Sequence, residues 1–361
     1  MYRSFRAKNF RCFTDLHVQD LARINLIAGM NNVGKTALLE ALLTHGSVQN
    51  PKIALELDGF RGLSYAPGSP ESRAPWGSLF GGFEESRALE LQGERDSGGR
   101  RLVRLRLLGN PAELLKVAPW FRGELPEPAL SQALGVGWPV LAVDYEEDGR
   151  EVGTSYLFHG KTSMYQVLSP LPLAPPFIFL PARGLVEAAE CAERYGKMEV
   201  IGQQDLVRDA LRVVEPNLRR AAVVVVGGSP VIHANIGLDR LMPLPLMGEG
   251  MTRLFNLVVA IGNAPKGLVL VDEIENGLHH SVLQKVWRVI AEAARQFDVQ
   301  VFATTHSFEC IEAAHRAFDE DLGFEYDFRL HRLERVNADI VARTSDREAL
   351  RAALDMGLEV R

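Results

Sequence analysis

The chain has 361 residues, 47% hydrophobic and 24% charged, with a formal net charge of −6. That length bounds one large domain or two modest ones with a substantial core. A mildly acidic chain without a marked basic run has no global field for nucleic acid, and apolar runs such as 221–226 fall far short of the roughly 20 residues needed to cross a bilayer. The three cysteines, Cys12, Cys191 and Cys310, lie far apart without metal-ligand spacing and read as reduced thiols of a soluble, cytoplasmic protein. The opening Met-Tyr-Arg-Ser-Phe-Arg lacks the apolar core of a signal peptide.

Residues 1–23 alternate as strands do, through Tyr2, Phe5 and Ala7, then Phe10 and Phe13, with a second short strand at 16–18. Two antiparallel strands leading into a phosphate loop would lay the turn around Arg11 beside the nucleotide. Arg11 is therefore a candidate contact for phosphates or a base, the alternative being an arginine solvated on a turn. The next segment is an apolar strand, 24–28, running into Gly29-Met30-Asn31-Asn32-Val33-Gly34-Lys35-Thr36 and then a helix-forming run. This is the G-x-x-x-x-G-K-[ST] phosphate loop in its required strand-to-helix context. Glycine at both ends lets successive N–H groups turn toward an anion, and the helix start adds its partial positive charge. Asn31, Asn32, Val33, Gly34 and Ala37 are expected around the nucleotide. Lys35 is expected on the β- and γ-phosphates and Thr36 on Mg²⁺.

From 48 to 170 short β-type runs appear at 54–57, 88–91, 102–108, 140–145 and 155–158, with Asp148-Gly149 as a hairpin signal. Two Pro/Gly/Ser-rich stretches, 61–77 and 118–139, read as long surface loops. The pattern predicts an antiparallel lobe with an irregular insertion, and Trp76 to Phe80 reads as a hydrophobic anchor. Phe177-Ile178-Phe179-Leu180 returns to a buried strand closed by Pro181, and helices are expected at 185–195 and 203–214. Arg183, Arg212, Arg219 and Arg220 are interspersed with Glu187, Glu190, Glu193 and Asp209, which favours a solvated salt-bridged surface over a nucleic-acid face.

Gly248-Glu249-Gly250-Met251-Thr252-Arg253 opens a helix continuing to Ile261, a second anion-accepting helix start. Since one nucleotide needs one phosphate loop, Gly248 and Gly250 are candidates to complete a site on another subunit. Gly267 to Val271 is a continuous apolar strand ending in Asp272-Glu273. A strand buried on both faces suits a parallel sheet, whose ligand chemistry sits at the carboxyl ends. Asp272 is expected to hold the metal and Glu273 to orient the attacking water. Gln300 to Ser307 repeats the design, with His306 placed to meet the γ-phosphate or that water. Strands at 328–335 and 340–344 and a final helix close the chain. The expected fold is α/β, with a largely parallel core sheet flanked by helices and an antiparallel β-lobe. Its segments are 1–47 with the N-terminal strands and phosphate loop, 48–170 the lobe, 171–345 a helical subdomain and the rest of the core, and 346–361 a terminal helix.

Taken together, Asn9 to Phe13, Gly29 to Thr36, Gly248 to Arg253, Asp272 to His279 and Thr304 to Ser307, in that order, resemble the ATP-binding-cassette-type (ABC-type) ATPase heads of the OLD, RecF and SMC group of AAA-annotated P-loop NTPases. The resemblance lies within 1–45 and 240–320. It implies ATP and Mg²⁺ as ligands and a homodimer sandwiching two ATP molecules, with Gly248–Arg253 of one subunit on the γ-phosphate held by Lys35 of the other. It also implies a nucleotide-driven switch in phage defence or DNA maintenance, or a slow scaffold controlling a nuclease or toxin partner, with DNA as a further possible partner. Departures are visible. Met247 and Glu249 stand where transporter signatures have serine and glycine, His279 where they have aspartate, and Gln92 is the candidate for the Q-loop glutamine. The 54 residues after Ser307 are too short for a Toprim nuclease. No Asn-Lys-x-Asp supports a GTPase, and a small-molecule kinase has no need of Gly248–Arg253 with His306.

Overall fold

The computed structural model describes residues 1–63, 76–108, 113, 140–159, 164–167, 174–182, 186–320 and 326–361. Strands β1 (Tyr2–Phe10) and β2 (Phe13–Val18) open an antiparallel sheet. It is completed by β4 (Leu89–Arg95), β5 (Arg100–Leu108), β6 (Val140–Glu147), β7 (Arg150–His159) and β8 (Met164–Val167) in the order β2-β1-β4-β5-β6-β7-β8. Between β2 and β4 the chain enters the core sheet through β3 (Ile24–Ala28). That sheet adds β9 (Phe177–Leu180), β13 (Leu268–Val271), β14 (Gln300–Thr304), β15 (Phe328–Val336) and β16 (Asp339–Ser345), ordered β16-β15-β3-β14-β13-β9. Its pairings are parallel apart from β15 with β16. A small antiparallel sheet, β10 (Arg220–Val226), β11 (Ser229–Asn235) and β12 (Met242–Pro243), belongs to the helical side.

The all-apolar readings of β3 and β13 follow from position, since β3, β13 and β14 are buried at every residue. One hydrophobic cluster fills the space between the core sheet and the helices Ala188–Val200, Gln204–Leu211, Glu249–Gly262, His280–Gln296 and Phe308–Asp319. A second lies between the opposite face of the core sheet and the lobe. The phosphate-loop helix Lys35–Gly46 runs through this second layer and is buried from Ala37 to Gly46. A helix covered on all sides has no polar face, so its few polar side chains must find partners inside. Thr44 Oγ1 donates to the Glu40 carbonyl at 2.8 Å, and the His45 ring lies between Tyr2 Oη at 3.0 Å and the Arg101 carbonyl at 3.3 Å.

The hairpin at Asp148-Gly149 forms as predicted, both residues at positive φ (52° and 75°). Residues 54–57 do not form a strand. They lie in the helix Ile53–Phe60, with Ile53, Ala54, Leu57 and Asp58 buried on one face. The alternation of Ala54-Leu55-Glu56-Leu57 mimics a strand, but these residues are strong helix formers and the buried spacing is helical. Trp76, Leu79 and Phe80 are buried, as an anchor should be. Much of the 61–77 and 118–139 stretches lies outside the described residues, as do Arg183 and Leu185. Arg212 is held by Asp209 and the Leu218 carbonyl, and Arg194, Lys197 and Arg208 pair with acids on their own helices.

Candidate active site

The parallel strands β3, β13, β14 and β9 end along one edge, and their following loops converge there. After β3 the chain turns through Gly29 at φ 143°. A Cβ there would sit 2.5 Å from the Leu333 carbonyl oxygen of β15, so only glycine fits. Gly34, at φ 87°, caps the phosphate-loop helix, and a Cβ on it would meet Cys12 Sγ and the Phe13 ring at 2.7 Å. The β1–β2 turn therefore lies against the loop. Lys35 Nζ donates to the carbonyls of Gly29 at 2.7 Å and Met30 at 3.0 Å. Burial lowers its pKa, while Asp272, Glu273 and Glu275 pull it back up. Asn31 and Asn32 are exposed; Val33 and Ala37 are buried beneath the loop.

Thr36 Oγ1 lies 3.1 and 3.0 Å from the two carboxylate oxygens of Asp272. Asp272 is 7% exposed and also accepts from Thr304 Oγ1 at 2.6 Å, and the same Thr304 oxygen accepts from the Glu273 N–H at 2.8 Å. A β-hydroxyl at the end of β14 thus fixes both residues of the Asp-Glu pair. Glu273 has φ 50°, which throws its side chain out of the strand direction, and Asn276 Nδ2 donates to its Oε2 at 2.8 Å. His306, at the end of β14, is 54% exposed beside Glu275. Lys35, Thr36, Asp272, Glu273 and His306 therefore share one edge of one sheet.

Gly248 is exposed at φ 107° and caps the helix Glu249–Gly262, whose first N–H groups have no acceptor within the helix. Gly250 has a packing reason: a Cβ would come within 2.4 Å of the Gly277 carbonyl, which seats the helix start on the turn after Glu273. Arg253, one turn further on, received no separate role from the sequence. Its NH1 donates to the Pro181 carbonyl at 2.9 Å and its NH2 to the carbonyls of Asp272 and Glu273. It clamps the ends of β9 and β13 to the helix Glu249–Gly262. Burial holds its pKa below the usual arginine value, against the pull of Asp272 first and then Glu249, Glu275 and Glu273. The missed signal was the lone guanidinium of a helix that, from Leu254 to Gly262, is apolar apart from Asn256. His279 caps the next helix, accepting from the Ser281 N–H at 3.4 Å.

Two candidates, Arg11 and Gln92, are held by neighbouring side chains. The Arg11 guanidinium is neither solvated nor turned to the loop. Its side chain is 10% exposed and pairs with Glu40 at 2.6 Å and Asp58 at 3.0 Å, with Ser78 at 3.4 Å. The carboxylates that hold it lie on the two neighbouring helices, Glu40 on Lys35–Gly46 and Asp58 on Ile53–Phe60. Gln92 lies in β4 on the lobe, bonded to Arg100 and Glu94, away from the edge where the loops meet. On its other side from β14, β13 pairs with β9, which is followed by Pro181, whose carbonyl Arg253 takes.

A family model described as "AAA domain, putative AbiEii toxin, Type IV TA system" matches residues 186–312, which include Gly248, Asp272 and His306 but not the phosphate loop. A Helicobacter pylori protein named ATP/GTP phosphatase is 21% identical over 95% of each chain. An SMC head domain from Pyrococcus furiosus, solved with an extended coiled coil and bound to the C-terminal domain of ScpA, superposes with a TM-score of 0.50 at 11% identity, covering 98% of each chain. The SMC head domain from Thermotoga maritima gives 0.44 at 14% identity, over 96% of this chain and 99% of that one. With its parallel core sheet and antiparallel lobe, the chain shares the fold of the Pyrococcus furiosus SMC head domain.

Proposed function

We propose that this protein is a Mg²⁺-dependent ATPase that pairs with a second copy around bound ATP and separates after hydrolysis. The observation that carries the reading is the meeting of Lys35, Thr36, Asp272, Glu273 and His306 along one sheet edge. Lys35 and the loop N–H groups bind the β- and γ-phosphates, while Glu273, held by Asn276, orients the attacking water. His306 contacts the γ-phosphate. The Thr36 hydroxyl and the Asp272 carboxylate form a hard oxygen pair that suits Mg²⁺, which when bound offsets phosphate charge. Gly248, exposed at a helix start, is free to face the partner's nucleotide. The name of the Helicobacter pylori relative supports triphosphate hydrolysis.

In this reading the cycle serves a cytoplasmic switch in phage defence or DNA maintenance. A second reading, a slow ATP-gated scaffold for a toxin or nuclease, draws support from the toxin named in the family description. Direct DNA binding gains little from the lobe. Among its described arginines, Arg104 pairs with Glu90 and Glu146 and Arg106 with Asp144. Among the described residues no helix is long and apolar enough to cross a membrane.

The test is Glu273→Gln, with phosphate release and light scattering measured in ATP and Mg²⁺. The variant should hydrolyse at least about 10²-fold more slowly and accumulate as an ATP-dependent dimer. Unchanged turnover would overturn the assignment of Glu273. A wild-type protein that binds ATP with negligible turnover, and holds a toxin or nuclease only in that state, would favour the scaffold.

A further inference from the structure

Glu275 has no part in the mechanism above, yet its carboxylate is among the most committed groups in the molecule. Its side chain is 10% exposed. One oxygen, Oε1, accepts from Thr305 Oγ1 at 2.8 Å and from the His306 backbone N–H at 3.0 Å, and lies 3.3 Å from His306 Nδ1. The other oxygen, Oε2, is buried without a hydrogen-bond partner among the described residues. Leaving a buried carboxylate oxygen bare is costly. A glutamine would tie Thr305 and the His306 backbone together without stranding a charge. What a carboxylate adds is an acceptor-only group facing the ring nitrogen.

The surroundings fix that carboxylate. Thr305 is fully buried, and its N–H donates to the Ile27 carbonyl of β3. The next turn, at Gly277, is wedged under Gly250 of the helix Glu249–Gly262. Adjacent threonines therefore divide the acids between them: Thr304 holds Asp272 and Glu273, and Thr305 holds Glu275.

We infer that Glu275 is a positioning residue: it receives the Nδ1–H of His306 and so leaves Nε2 as the nitrogen presented to the γ-phosphate or the attacking water. The ring of a half-exposed histidine otherwise rotates between rotamers and tautomers. Its backbone N–H bonds the same oxygen that lies 3.3 Å from its Nδ1, so a proton shared across that gap removes the freedom before a substrate arrives. This inference rests on the proposed role of His306.

The test is a double-mutant cycle on the full chain with ATP and Mg²⁺, reading kcat, KM and thermal midpoint. His306→Ala should lower kcat about 10²-fold and Glu275→Ala about 30-fold, with KM held within about threefold. Glu275→Gln keeps the bonds from Thr305 and the His306 N–H but is no longer acceptor-only toward Nδ1, so it should hold the wild-type thermal midpoint while recovering kcat only in part. In the His306→Ala background, Glu275→Ala should cost nothing further. Multiplying losses in the double variant would overturn the inference, as would full activity in Glu275→Ala. If Glu275→Ala does not fold, Glu275→Asp takes its place, since a carboxylate drawn back by one methylene cannot reach Nδ1 and should show the same non-additivity. Wild-type protein without ATP hydrolysis, or His306→Ala with unchanged kcat, would refute the underlying reading instead.

Discussion

Two clusters of charge flank the phosphate-loop helix, one closed and one open. On the lobe side Arg11 and Arg61 meet Glu40, and Arg11 also meets Asp58, with Glu40 and Asp58 at 1% and 2% exposure. Arg61 grips Glu40 through two bonds of 2.7 and 2.8 Å. At the carboxyl edge of the core sheet, Asp272, Glu273 and Glu275 gather beside Lys35 and Arg253. There Arg253 gives its hydrogen bonds to backbone carbonyls, and Lys35 does the same. In the first cluster guanidinium meets carboxylate directly and the result is structural. In the second the acids are held by hydroxyls and an amide, which fix their direction without cancelling their charge. Burial and residue types are similar; what separates a strut from a site is whether the charges are spent on each other.

Breaking the closed cluster should have the largest effect. Glu40→Ala leaves two arginines without their shared buried acid and should cost about 3–5 kcal/mol, read as a fall in denaturant midpoint. A variant of wild-type stability would show that the cluster is not a strut. In the open cluster the same kind of change should act on turnover. Asp272→Asn should lower hydrolysis at least about 10²-fold while thermal stability stays level or rises, because one of three neighbouring acids is neutralised. A large drop in stability would place Asp272 with the struts.

The smallest effect concerns pH. His45, on the same helix as Glu40, and His331 are fully buried and each pushed down to about 3, by burial first and then by Arg101 and Arg329 respectively. The unfolded chain binds protons at these rings below pH 6.5 while the native chain does not, so stability is complete above pH 6.5 and falls toward pH 3. The slope should be about 1.4 kcal/mol per pH unit for each ring. His331→Gln should flatten it in urea titrations. An unchanged slope would mean that His331 gains its proton without unfolding.

The phosphate loop, the Asp272–Glu273 strand and the strand before His306 were legible because each is a local pattern, an apolar run ending in a polar cluster. What escaped depends on partners distant in sequence. Nothing near Arg11 announces Asp58, and the contact exists only because the helix Ile53–Phe60 folds beside the β1–β2 turn. The sequence also separated β1 and β2 from the lobe, whereas β1 pairs with β4 across more than 80 positions of chain. Arg253 and Glu275 stood inside recognised motifs, but their targets are carbonyls and a ring nitrogen that no spacing rule reports.

At the end of the core sheet opposite the phosphate loop, Gln300 of β14 treats Tyr2 as a neighbouring strand. Its amide accepts from the Tyr2 N–H and donates to the Tyr2 carbonyl, both at 2.8 Å. At the other end, Cys12 and Phe13 crowd Gly34. The two layers are thus bolted top and bottom by the first residues of the chain, so excising 48–170 would yield no minimal core: it would strip β1 of β4 on one side and bare that edge for aggregation.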